Sequence, residues 1–570
     1  MRASKSRMWL SLIGIGVVLA SGGWQPQAQL GDGARGSTIP KASGLEAATR
    51  SGSDWVHPGP GGKLVYKTTP AGDRIMDFSY AGYMGGGVAL PEIPVKITVK
   101  PVEGDSTAAI QEAIDKVSTL SLEKGSRGAV LLSPGDYTCS GTISIRTGGV
   151  VLRGSGSGAG GSTIKMVGGR HCAIVVGGSG GTRGRRSDEA RVAGVPRVEG
   201  VSPSNRGHEL APAQAGDARD TTIADAYVPA GATTFTVADA SGFAVGDAIQ
   251  IRRPVTPAWV HFMQMDNLTR DGRPQTWIRA GTGTTTQRTI AALSGNQITL
   301  DVPLSDSCDA KYLDPPGTVV VKAGPRELLA QVGVECLRIQ APPMAVSYTQ
   351  YPYTALRING EDCWATDVAI EETMNSVSVG GRRITLERVA VHRTVPNLGA
   401  SKPAEFAPNA GQVLLDRCSS TGDNIWHVAT GAGIVGPIVL LHCTFRGNGH
   451  IEGHQRWTTG MLLDNCQVPG GGIDFKNRGA MGSGHGWGVG WAVAWNCAAK
   501  TFVVQQPPGA CNWMIGCTGT NVPTPRPFDS APTLPLGISD SPGKPVAPQS
   551  LYLAQLAERL GPRAVRNIGY

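Results

Sequence analysis

Charged residues make up only 17% of the 570 residues, and aromatic residues only 6%. No block of Lys and Arg interleaved with aromatics occurs, so the chain lacks the usual footprint of a nucleic-acid-binding surface. No pair of cysteines has the C-x2-C spacing of a zinc site. After the first twenty residues there is no run of 18 or more apolar residues, so no membrane-spanning helix is expected in the mature chain. Few charges and much glycine could point to disorder, but 40% hydrophobic residues argue for a folded core.

What the chain does have is glycine, 79 in all, between short apolar runs. That pattern reads as many strands joined by tight turns. At the start, Arg2, Lys5 and Arg7 precede the apolar run "MWLSLIGIGVVLA" and then small residues. The run is too short to span a bilayer, and 1–29 is predicted to be a secretory signal peptide. The protein is therefore expected to be exported, extracellular or periplasmic, with no membrane attachment once the signal is removed. Setting those three cations aside, the formal charge of +8 falls to roughly +5, a mild balance that suits an anionic ligand.

The 11 cysteines carry the main architectural signal. Cys418, Cys443, Cys466 and Cys497 each follow a short apolar run, in "VLLDRC", "IVLLHC", "MLLDNC" and "AVAWNC". Cys336, Cys363 and Cys517 fit the same ladder, and Val389 takes the Cys slot between Cys363 and Cys418. One short strand per 20 to 31 residues, with no helical pattern between, means a solenoid whose coils stack like residues over like. Small, soft thiols suit an interior column, so the cysteines are read as packing rather than as ligands or nucleophiles. Export permits disulfides, with Cys511 and Cys517 one candidate pair.

Upstream, "DSTAAIQEAIDKV" reads as a helix capped by Asp105 or Ser106, with Ala109, Ile110, Ala113, Ile114 and Val117 on one face. "GAVLLSPGDYTCSGTISI" then gives strand, turn and strand. This helix followed by Gly-x-Val-x-Leu-x-Pro-Gly-x-Tyr resembles the opening of secreted pectate-lyase-like proteins. The resemblance covers roughly 86–180 and 326–530. It implies an all-β right-handed parallel β-helix with an N-terminal capping helix, in a superfamily that includes lyases, hydrolases, epimerases and binding proteins. Residues 30–85 read as a linker or wrapping segment. Residues 181–325 read as a loop plus a small inserted antiparallel module, its alternating strands falling at 226–304. Residues 531–570 read as a tail with an amphipathic helix at 550–561.

Two stretches 22 residues apart, "IEGHQR" at 451–456 and "IDFKNR" at 473–478, repeat the same chemistry. Strand alternation predicts Glu452, His454 and Arg456 outward, with Asp474, Lys476 and Arg478 above them on the next coil. A structural reading exists for such a set, since cross-coil acid–base pairs stabilise a sheet by about 0.2–1 kcal/mol each. The functional reading is β-elimination on a uronic-acid polymer. There, Lys476 or His454 acts as base, with the Lys pKa depressed by neighbouring Arg, while Arg456 and Arg478 hold the uronate. His485 or His427 helps the leaving oxygen. Trp457, Trp487, Glu452, Asp474, Gln505 and again His427 are the candidate substrate contacts, because sugar faces stack on indoles and hydroxyls need polar partners. In many of the resembling lyases Ca²⁺ carries the charge on clustered Asp. No dense Asp cluster occurs here, so Arg is preferred, no metal ligand is assigned, and Ca²⁺ is left open. The rival is a glycoside hydrolase using Asp423, Glu452 and Asp474, with "SGHG" matching a Gly-His-Gly triplet. The third reading is a glycan-binding β-helix without catalysis.

Overall fold

The computed structural model describes residues 52–178, 220–324, 328–345, 351–397, 402–528 and 532–570. The expected signal peptide and the polar loop from 181 onward lie outside the described residues, except for 220–225. The described residues form a parallel β-helix. Twenty-seven strands join one continuous ladder, whose pairings are parallel. Among the described residues no helix is long and apolar enough to cross a membrane.

The helix Thr107–Ser118 closes the N-terminal end, burying Ile110, Ala113, Ile114 and Val117 against the first coils. Ser106 is its N-cap residue, but Asp105 supplies the side-chain cap by accepting from the Thr107 backbone N–H at 2.8 Å. Strand Gly333–Gln340 pairs directly with Val150–Arg153 and Ser162–Met166. The solenoid therefore runs on as if the insertion between Cys172–Val176 and Gly333–Gln340 were not there.

The lumen is an apolar column. Leu386, Leu415, Leu440, Leu463, Ala494 and Met514 stack in register through successive coils and belong to one core. Beside them run Cys418, Cys443, Cys466, Cys497 and Cys517, with Val389 in the expected slot. These thiols reach backbone carbonyls of the preceding coil: Cys443 donates to Leu415 at 3.4 Å and Cys497 to Leu463 at 3.2 Å. All 11 cysteines are free thiols. Cys511 and Cys517 do not pair because they belong to different cores. Cys336 departs from the column: it takes a left-handed φ of 53°, and Leu337 fills the core instead.

Strands such as Gly411–Asp416 and Val435–Leu441 are apolar on both faces because both are covered. Their outward residues, with those of the coils that follow, pack into a second core: Leu414, Val439, Leu462, Val493 and Trp513. The insertion supplies much of that cover. It is a six-stranded antiparallel sheet built from strands between Asp220 and Lys322, wider than the 226–304 predicted. The chain ends supply the rest. Ser550 caps the helix Leu551–Leu560, which stops at Gly561 with φ of 80°. Gln555 of that helix accepts from the Phe78 backbone N–H at 2.9 Å, tying it to the N-terminal wrapping segment.

Leu440 is fully buried between Leu415 and Leu463. Leu440→Ala is expected to cost about 2–5 kcal/mol of unfolding free energy, read from denaturant unfolding, because the stacked coils cannot collapse into the gap.

Candidate functional site

The repeated line stacks in the predicted register. Ile451 pairs with Ile473 and Glu452 with Asp474. Ile451, Ile473 and Phe475 enter the lumen, which sends Glu452 and Asp474 to the opposite face. That face is recessed rather than open: both carboxylates are fully buried, while His454 and Lys476 keep 20% and 22% of their side chains exposed. The Lys476 amine donates to Asp474 Oδ2 at 2.6 Å and lies 3.9 Å from Glu452 Oε2. Arg478 Nη1 lies 3.2 Å from Glu452 Oε1 and 2.8 Å from His485 Nδ1. The His454 ring contacts Glu452 through Nδ1, and Arg478 Nη1 lies 2.8 and 2.9 Å from its two ring nitrogens.

The electrostatics follow from burial and these partners. Burial raises the Glu452 and Asp474 carboxyls, but Arg478 and His454 for the first, and Lys476 and His450 for the second, outweigh it. Both stay ionised, Asp474 down at about 2. Burial lowers the Lys476 amine, yet Asp474 and Glu452 outweigh that and raise it, so it is a cation. This corrects the expectation of a neutral Lys476 base: its carboxylates outweigh its Arg neighbour. Burial, reinforced by Arg478, outweighs Glu452 at His454 and keeps that imidazole neutral at pH 7. Burial and Arg478 push His485 down as well.

Several predicted site residues stand elsewhere. The strands end at Glu452 and Phe475, and alternation ends with them. Arg456 has a left-handed φ of 50° and turns to the insertion, donating to the Trp277 carbonyl at 2.6 Å and to Ser483. This departs from the expected pairing of Arg456 with Arg478 on a uronate. Trp457 and Trp487 are buried docking residues rather than sugar platforms. Trp457 donates to Asp306 at 2.8 Å, and Trp487 to the Met263 carbonyl at 3.1 Å. His427 lies at a bulge, buried against Phe445 and hydrogen-bonded to Ser420, with burial pushing it down to about 3. Gln505 is buried too, accepting from the Asn477 backbone N–H at 2.7 Å and donating to Thr524.

Trp426 is half-buried at the edge of the cluster, its ring 5.3 Å from both the Arg478 guanidinium and the His454 ring. The sequence pattern did not single out His450, yet the structure brings it into the cluster. Its Nδ1 lies 2.9 Å from Asp474 Oδ2, and 30% of its side chain is exposed. The alternation that selected Glu452 and His454 applies equally to it. Among the described residues no group of three or more His, Cys, Asp or Glu is arranged to hold a metal ion. Glu452 and Asp474 already face Lys476 and Arg478, so this donor set does not fit Ca²⁺.

The fold and site define a parallel β-helix with a recessed ionic wall. No protein-family model and no curated protein matches the chain. Among solved structures, the tailspike of Pseudomonas phage phi297 aligns at 13% identity over 73% of this chain and 67% of its own, with a TM-score of 0.23. The tailspike of Acinetobacter baumannii bacteriophage AP22, in complex with capsular saccharide, aligns at 11% over 76% and 71%, with a TM-score of 0.24. A GH87 alpha-1,3-glucanase catalytic unit from Streptomyces thermodiastaticus aligns at 12% over 80% and 69%, with a TM-score of 0.20. Likenesses this distant carry no argument about the reaction.

The folded Asp474 carboxyl lies below its ordinary value of 3.8, so its stabilisation is present above that value and is lost as pH falls toward about 2. Asp474→Asn is expected to make the fall of Tm with acidification shallower across that window, as measured by thermal unfolding at a series of pH values.

Proposed function

We propose that the chain is an exported, polysaccharide-active β-helix that cleaves a uronic-acid-containing polymer by β-elimination. The observation that carries this reading is a charged Lys476 beside imidazoles on one wall, with both carboxylates held ionised. The proton next to a uronate carboxylate is weakly acidic, and a cation on that carboxylate stabilises the charge that develops when it leaves. Lys476 is an accessible cation of this wall, and the more buried Arg478 adds its charge beside the Glu452 carboxylate. An imidazole of the wall takes the proton, the electron pair forms the carbon–carbon double bond, and the bond to the glycosidic oxygen breaks.

A hydrolase at this wall would need one carboxyl to keep its proton. Glu452 and Asp474 are both lowered, so neither suits that role. The cationic and apolar pattern at 1–29 supports export.

The test is incubation with a panel of uronate polymers while following the ultraviolet absorbance of unsaturated products. Wild type is expected to generate it, and Lys476→Gln to lose about 10²-fold or more in kcat/KM. New reducing ends without that absorbance would turn the reading to hydrolysis; binding with neither signal would leave a glycan-binding protein.

A further inference from the structure

Resting on that reading, we propose that His450, oriented by Asp474, is the base that takes the proton, with His454 serving to position Arg478. Both histidines face a buried carboxylate, but their free ends differ. The two ring nitrogens of His454 lie 2.8 and 2.9 Å from Arg478 Nη1, and its ring is packed against His485; both histidine rings lie edge-on to Trp426. His450 contacts Asp474 through Nδ1 alone, and among the described residues no hydrogen bond engages its Nε2. A carboxylate at Nδ1 selects the tautomer with the proton there, leaving the Nε2 lone pair free to accept one.

Asp474 Oδ2 also holds the Lys476 amine at 2.6 Å. One oxygen therefore sets the cation and the base relative to each other. That suits a reaction in which the cation meets the carboxylate while the base meets the adjacent carbon. The position across from His450 is Gly472, where an added Cβ would lie 2.8 Å from the imidazole and 2.7 Å from the Thr501 hydroxyl on the next coil. The backbone thus clears the space that the ring uses. In the step, the substrate proton passes to His450 Nε2, the C–H electron pair becomes the new double bond, and the leaving oxygen departs with the C–O electrons and takes a proton from solvent. His450 then returns its proton to solvent.

The experiment compares wild type with His450→Gln and His450→Ala on a polymer that wild type cleaves. His450→Gln is expected to lower kcat by about 10²–10⁴-fold with KM changed little. Added imidazole is expected to restore part of the His450→Ala rate, which a merely structural role would not allow. If wild type eliminates but His450→Gln keeps kcat within about threefold, the assignment is overturned while the lyase reading stands. If wild type eliminates no uronate polymer, the lyase reading fails and takes the assignment with it.

Discussion

The in-register stacking of parallel coils is the constraint on which the rest depends. It places Glu452 beside Asp474 on neighbouring strands, with both side chains on the face away from the lumen. Two adjacent carboxylates removed from water would repel and would each lose solvation. Lys476 and Arg478 supply the opposing charge within the same two coils. Breaking one partner of such a buried network typically costs about 3–5 kcal/mol, because the other charge is left behind. The same network holds the imidazoles in place, so the wall's stability and its chemistry share one cause.

A second core explains why most of the tryptophans near the wall are unavailable to a ligand. The sheet's outward Leu414, Val439, Leu462 and Val493 need cover, and the insertion and the chain ends provide it. Indoles suit that junction because they bury a large apolar area while donating one hydrogen bond. Trp457 and Trp491 donate to the two oxygens of Asp306, and Trp277 and Trp487 bond across the same boundary. The insertion also holds the segment around His485: the Arg456 side chain links Trp277 to Ser483. A module that is remote in sequence therefore shapes one edge of the ionic wall.

Much of the fold was legible in the sequence. The recurring apolar run before Cys, the capping-helix pattern and the spacing of 22 between Ile451 and Ile473 are local or periodic, and a solenoid turns sequence period directly into spatial neighbourhood. The lumen, the capping helix and the stacking of Glu452 on Asp474 follow from that. The site was legible only as far as the strands extend. Beyond Glu452 the backbone turns, and alternation no longer says where Arg456 or Trp457 points.

By itself, then, the sequence determined the coil, its interior and the register that brings the acid pair together, because these depend on period and side-chain polarity. Tertiary structure alone decided that Lys476 stays charged, that Trp457 and Trp487 are hidden, and that among the described residues no hydrogen bond engages the second ring nitrogen of His450. Each of those depends on how many partners surround a group and on what distant segment covers it, and neither is written in the spacing of nearby residues.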